Sequence, residues 1–392
     1  MLVCRSLYVY LFISSYITKT EHMPHDRTQP FNDLPLLPPF NDMEENVEVM
    51  KKLVTASRAL ATTNSSIHSL PNPTILINTI ALQEAQTSTA IENIFTTEDE
   101  LYKAISETVR EENIKPATKE VLRYREALWE GYNIIREKGK VDIDSIIRTF
   151  RQIKNAIAGV RPPQTLTVIR RGQSEFRSGE VIYTPPRGTG IIEAKMENLV
   201  EYLNDDMKYP TDPLIKMCIA HYQFEAIHPF SDGNGRTGRI LNLLYLVNKG
   251  LLGQPVLYLS KYIMINKEDY YHHLSGVTQR GAWKPWVMYM LDAVEKTAEL
   301  TNQLITSILN QMEATLAHGR TAIKWYNKEV NEAIFSQPYI KPKFIGEILG
   351  ITSRTTLTKY FGELVAAKIL SPAKDGKEVY YINDDLIQIL KG

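Results

Sequence analysis

From Asn41 onward, apolar residues recur at intervals of three and four, the period of amphipathic helices. The pattern predicts helices over Glu44–Ala61, from Asn72-Pro73 past Glu92, and over Thr97–Glu112, Lys119–Lys138 and Asp142–Ala158. Between Arg161 and Pro186 the helical period fails. Val168-Ile169-Arg170 and Val181-Ile182-Tyr183 are β-branched runs separated by Arg171–Glu180, which predicts a small hairpin. Pro185-Pro186 ends it, and helix returns over Ile192–Asn204. Asp212-Pro213 pairs an N-cap with a first-turn proline and opens a helix to about Ile227. A loop of small and polar residues follows, then a helix from about Arg236 to Asn248, closed by Lys249 and Gly250. Upstream, Pro30–Phe40 carries four prolines in eleven residues and reads as an extended strap on the surface of the next domain. The fold class is mainly α, with a hairpin flap.

The C-terminal part changes character. Phe344–Leu349 predicts a short helix, Gly350 a turn, and Ser353 the cap of a longer helix over Arg354–Ala367. Leu370, Asp375-Gly376 and Val379–Ile382 then read as two strands around a tight turn. Helix–turn–helix followed by a hairpin is winged-helix logic. Arg354, Thr355, Thr358 and Lys359 lie on the front of the second helix, where side chains that read a DNA groove would lie. The same shape also serves protein contacts or dimerisation.

Composition removes some function classes. The 392 residues hold 45 Lys+Arg and 45 Asp+Glu, so a whole-molecule field drawing in nucleic acid or anionic membrane is excluded, though a local patch is not. With 43% hydrophobic and 23% charged residues the chain is ordinary globular protein. Two cysteines, Cys4 and Cys218, make neither a disulfide framework nor a four-cysteine zinc site, which fits a reducing, cytoplasmic setting. Leu7–Ile17 behind Arg5 has the charge order of a secretory leader, but it reads better as an unstructured extension or a segment upstream of a start at Met23. No run reaches the ~18 apolar residues of a membrane helix.

The chemistry concentrates in His228-Pro229-Phe230-Ser231-Asp232-Gly233-Asn234-Gly235-Arg236-Thr237-Gly238-Arg239. Gly233 and Gly235 let main-chain N–H groups converge just where a helix begins, a setting that favours an anion. Arg236 and Arg239, three apart on the first turn, can face the same anion. Asp232 is a hard oxygen ligand suited to Mg²⁺. His228, at the end of the preceding helix, is a proton acceptor at neutral pH. Together they describe a nucleotide phosphate site with a metal and a general base. Gly233, Gly235 and Gly238 also spell G-x-G-x-x-G. A dinucleotide fold would need a strand before the loop and an acid about twenty residues beyond it, and neither is present. No Gly-Lys-Ser/Thr follows, which excludes a P-loop. His221, seven residues before His228, reads as packing.

His228–Arg239 resembles the signature of the Fic family (filamentation induced by cAMP), H-P-F-x-[D/E]-G-N-G-R-x-x-R, at every position. The resemblance extends from about Pro30 to Ala298. It implies a Fic-type helical bundle and protein AMPylation: transfer of AMP from ATP to a Ser, Thr or Tyr hydroxyl of a target protein, and of itself, with release of pyrophosphate. On that model His228 takes the hydroxyl proton and Asp232 holds Mg²⁺ (or Mn²⁺) between the α- and β-phosphates. Gly233, Asn234 and Gly235, with Thr237 and Gly238, belong to the ATP loop. Arg236 binds phosphate and Arg239 the γ-phosphate. The hairpin matches the family's flap, so Val181, Ile182 and Tyr183 would clamp the target's extended segment and cover the nucleotide. Asn266–Leu274 resembles the nucleoside pocket, with Tyr270 and Tyr271 bordering adenine; Trp283 and Trp286 read as core.

Ser88-Thr89-Ala90-Ile91-Glu92-Asn93 resembles the family's inhibitory motif, [S/T]-x-x-x-E-[G/N]. Glu92 would pair with Arg239 in place of the γ-phosphate, and Ser88, one turn earlier, could hold the carboxylate by a hydrogen bond. In some relatives the same Glu positions water to remove AMP. The implied organisation is an extension (1–29), an N-terminal Fic-associated region with the inhibitory helix (30–115), the Fic core (116–300), a connecting helix (301–335) and a winged helix (336–392). A homodimer is common in the family. The competing class is a regulator whose winged helix binds DNA while the core only senses nucleotide.

Overall fold

A computed structural model describes residues 25–39, 43–68, 70, 74–106, 111–171, 179–375 and 378–391. The possible leader, Cys4, the Asn72-Pro73 start, the tip of the hairpin and Gly376 lie outside these residues.

The chain is mainly helical, in the order α1 (Val47–His68), α2 (Thr74–Ile91), α3 (Glu98–Ile105), α4 (Pro116–Lys138), α5 (Ile143–Lys154), the hairpin β1 (Ile169–Arg171) and β2 (Glu180–Tyr183), α6 (Ile191–Asn204), α7 (Pro213–Ile227), α8 (Asn234–Asn248), α9 (Leu259–Ile265), α10 (Lys267–Arg280), α11 (Trp283–Ala322) and α12 (Lys328–Phe335). A C-terminal unit follows: β3 (Tyr339–Ile340), α13 (Pro342–Leu349), α14 (Arg354–Ala366), β4 (Ser371–Asp375), β5 (Glu378–Ile382) and α15 (Asp384–Lys391). Its sheet runs β3-β5-β4, all antiparallel. The two-residue β3 is too short to announce itself by alternation.

Several helix ends differ from expectation: α1 runs on to His68 rather than stopping at Ala61, α3 ends at Ile105 rather than Glu112, and α4 starts at Pro116 rather than Lys119. Three further differences shape the site. α2 stops at Ile91 rather than passing Glu92, because Asn93 turns left-handed at φ 63°, a conformation asparagine tolerates. α5 stops at Lys154, where Asn155 does the same at φ 48°. α8 starts two residues early, at Asn234, because Gly233 caps it at φ 78°.

The central pair is α7 and α8. Asp212 caps α7 by accepting from the Leu214 N–H at 2.8 Å. From Leu214 to Ile227 every residue of α7 is buried except Glu225. α8 is buried from Arg236 to Leu246. The motif loop therefore joins the two most enclosed helices of the molecule. Around them lie α4, α5, α6 and α10. The 40-residue α11 packs along α1 and passes from this core into a second one with Ile308, Met312, Phe335 and Phe361.

The strap is extended, as its prolines require. Leu34 and Leu37 are buried, Asn198 of α6 bonds both the N–H (2.7 Å) and the carbonyl (3.1 Å) of Leu37, and Gln223 of α7 donates to the Pro35 carbonyl at 2.8 Å. No described helix is long and apolar enough to cross a membrane.

Candidate active site

Residues 228–239 form a rigid connector. His228 closes α7 in a left-handed conformation (φ 49°, ψ 58°), and its carbonyl accepts from Arg161 Nε at 2.9 Å. Asn234 spans the loop: its Oδ1 accepts from the Phe230 N–H (2.9 Å) and its Nδ2 donates to the Phe230 carbonyl (2.8 Å). Phe230 stacks on Phe150 of α5 with centroids 3.9 Å apart. Asn234→Ala would strand both Phe230 groups, at about 1–3 kcal/mol for an unsatisfied buried partner. Thermal unfolding should show a clearly lower midpoint; an unchanged midpoint would mean that the clamp does not hold the loop.

A cavity of about 250 Å³ opens beside this loop. His228, Gly235, Arg239 and Glu92 line it, together with Tyr270, Tyr271 and Ile169 and Ile182 of the hairpin. Tyr222 and Thr278 also line it, and the Tyr222 hydroxyl meets Thr278 Oγ1 at 2.9 Å. Burial pushes the His228 imidazolium down to a pKa of about 4, against the raising effect of the Glu225 carbonyl. Among the described residues its buried Nδ1 has no hydrogen-bond partner. The lowered value favours the neutral ring, so the proton-accepting form persists from alkaline pH down to about 4. Nuclear magnetic resonance of ¹⁵N-histidine protein, with His228→Ala for assignment, should show no His228 titration between pH 8 and 5. A midpoint near 6.5 would contradict the burial argument.

Glu92 sits where an anion would. Its Oε1 accepts from Arg239 Nη2 at 2.9 Å, over the first turn of α8. A Cβ on Gly235 would collide with that carboxylate oxygen, so only glycine admits it. Burial works to raise the Glu92 pKa, but Arg239 outweighs it and the carboxyl lies below its ordinary value. Arg239 is fully enclosed, with Nε donating to Ser88 Oγ (2.7 Å) and Nη2 to the Ser88 carbonyl (2.9 Å).

Family models match this chain over three stretches: the Fic/DOC family N-terminal domain at residues 50–133, the Fic/DOC family at 142–246, and the C-terminal domain of protein adenylyltransferase SoFic-like at 310–386. The chain carries the N-terminal and core domains of the Fic/DOC family. Among relatives, "Protein adenylyltransferase Fic" of Aedes aegypti is 31% identical over 162 residues, 40% of this chain and 31% of the relative. "Protein adenylyltransferase fic-1" of Caenorhabditis elegans is 26% identical over 199 residues, 51% of this chain and 35% of the relative. The matches thus span about a third of the length of these curated relatives. A Fic family protein from Desulfovibrio desulfuricans G20 shares the fold at 19% identity and TM-score 0.55, covering 88% of this chain and 98% of its own. A Fic domain containing signaling protein from Bacteroides thetaiotaomicron does so at 17% and 0.51, covering 64% and 97%.

Within this Fic fold several expected contacts fall elsewhere. Ser88 holds the Arg239 guanidinium; among the described residues no hydrogen bond joins it to the Glu92 carboxylate. The Asn234 side chain is spent inside the loop, so it has only main-chain groups to offer a ligand. Thr237 Oγ1 donates to the Gly233 carbonyl at 2.9 Å, and Gly238 faces α7, where a Cβ would meet Phe224 and Glu225; neither lines the cavity. Of the flap residues, Ile182 and Tyr183 line the cavity and Val181 does not. The Tyr183 hydroxyl donates to the Ala226 carbonyl at 2.7 Å, which ties the flap to α7 and takes that hydroxyl away from any target. Tyr270 is buried against His221 (2.9 Å), leaving Tyr271, 42% exposed, as the accessible ring. His221 stacks on Trp286 in the core.

Four partners escaped the sequence reading. Glu120 of α4 pairs with Arg236, which is buried and lies outside the cavity lining. Lys154 donates to Asp232 Oδ2 at 2.6 Å. Arg161 staples the His228 carbonyl to the root of the flap through Pro186. Lys267 of α10 donates to the Ile91 carbonyl at 2.6 Å and so seats the end of α2. Only Arg161, beside Pro162-Pro163 ahead of the hairpin, offered a sequence hint.

Proposed function

We propose that this Fic protein AMPylates hydroxyl side chains of target proteins and of itself, with ATP as donor. The observation that carries the reading is that the His228 ring, Arg239 and Gly235 at the start of α8 line one cavity. In-line displacement at phosphorus is mostly positioning and charge neutralisation, and these groups supply both. His228 takes the proton from the attacking hydroxyl. The hydroxyl oxygen then bonds to the α-phosphorus, the bond to the bridging oxygen breaks, and pyrophosphate leaves. Arg239 and the Gly235 end of α8 neutralise the leaving phosphates.

Asp232 fits a divalent cation. Its carboxylate is 66% exposed and outside the cavity lining, and Mg²⁺ is commonly held by one carboxylate together with substrate phosphates. Burial works to raise its pKa, but Lys154 outweighs that and keeps it ionised. When bound, the metal would offset phosphate charge.

The test is mass spectrometry after incubation with ATP and Mg²⁺, with ATP labelled at the α- or the γ-phosphate. AMP transfer leaves the α label on protein; retention of the γ label, or of neither, refutes the reading. Unlabelled UTP and CDP-choline should compete poorly. AMP removal by the same site is the alternative, and pre-labelled protein losing its label on incubation with this chain would favour it. The exposed Arg354, Thr355, Thr358 and Lys359 on α14 support a separate DNA contact, read by gel mobility. The homodimer rests on family resemblance alone and is read by light scattering.

A further inference from the structure

Glu225 is the exception on α7, a half-buried acid on an otherwise enclosed helix. It lines the cavity, and its Oε1 is shut off from solvent without a hydrogen-bond partner among the described residues. A Cβ on Gly238 would lie 2.7 Å from that oxygen, so α8 packs against Oε1, while the residue itself borders the cavity. Burial, outweighing Arg239, pushes the carboxyl up to about 7. An acid kept at this cost, without a partner in the fold, is accounted for if a ligand supplies the partner.

The helix fixes where along the cavity that partner lies. Tyr222, Glu225 and His228 follow at three-residue steps, about 4.5 Å apart along the axis. His228 shares the lining with Gly235 and Arg239, the phosphate groups of the reading above. Tyr222, bonded to Thr278, lies six residues back along α7. A nucleotide whose α-phosphate lies beside His228 brings its sugar level with Glu225. A carboxyl oxygen accepts from vicinal sugar hydroxyls, the use that acidic residues serve in other nucleotide sites.

We propose that Glu225 accepts hydrogen bonds from the ribose hydroxyls of the bound nucleotide and so makes the site select ribonucleotides over deoxyribonucleotides. This rests on the nucleotide reading of the cavity given above. A merely structural Glu225 would change the affinity for all nucleotides alike, so the ratio is the informative quantity. Calorimetric titration of Glu92→Gly protein should show ATP binding about tenfold more tightly than 2′-deoxy-ATP or 3′-deoxy-ATP, the size of one hydrogen bond to a charged group. In Glu92→Gly/Glu225→Ala the ratio should fall to about one. Glu225→Met, of similar length and without an acceptor oxygen, carries the same expectation should the smaller side chain disturb folding. Glu225→Gln keeps an acceptor and should retain most of the preference. A preference undiminished in both Ala and Met variants overturns the assignment alone. Failure of Glu92→Gly protein to bind ATP overturns the nucleotide reading, and this inference with it.

Discussion

Glu92→Gly should transfer AMP about 10- to 100-fold faster than the unaltered chain. The expectation follows from what the Glu92 carboxylate occupies. It holds Arg239 Nη2 at 2.9 Å over the first turn of α8, the place where leaving phosphates need positive charge. A hydrogen bond between charged groups contributes about 1.5–3 kcal/mol, and a competent population held down by that amount rises roughly 10- to 100-fold on its removal. Glycine also removes the collision that any ligand above Gly235 must otherwise settle with Glu92. The fold should survive: Arg239 keeps both contacts to Ser88, and Lys267 still seats the Ile91 carbonyl. Label from α-³²P-ATP on the protein gives the rate. Equal labelling of the two proteins would mean that Glu92 is no brake.

How much of this could be read from the chain depends on whether the interaction is local. Helices announced themselves by period, and the loop from His228 to Arg239 carries its own glycines, cap and arginines in one run. Their ends depended on single residues, Asn93, Asn155 and Gly233, whose left-handed turns are permitted by type but not required by it. The pairing of Glu92 with Arg239 spans 147 residues, and resemblance to a known motif, not spacing, suggested it. Glu120 on Arg236 and Lys154 on Asp232 had no such guide. Each is an ordinary charged residue on an amphipathic helix, and only the packing of α4 and α5 against the loop brings it there. Ser88 shows the same limit at short range. Helical spacing put it on the right face, but one turn of helix could not say whether its hydroxyl would meet the acid or the base of the pair.

His228→Ala, placed in the Glu92→Gly protein, should lower AMP transfer by about 10²- to 10⁴-fold, the range expected for loss of a positioned general base. Two other described residues on the cavity are less suited to the role. Glu225 is three residues back along α7 at the level assigned to the sugar, and the Tyr270 hydroxyl is engaged by His221. Nucleotide affinity should change little, because the ring acts on the incoming hydroxyl and not on the phosphates; a loss confined to kcat is the mark of an interaction made in the transition state. The backbone poses a separate question. Position 228 is left-handed at φ 49°, which costs alanine roughly 1–2 kcal/mol, while asparagine tolerates it. His228→Asn therefore tests the base without the strain, and Arg161 still finds the same main-chain carbonyl. Both variants should be equally inactive while differing in melting temperature. Transfer within tenfold of the parent in the Asn variant would show that some other group deprotonates the target.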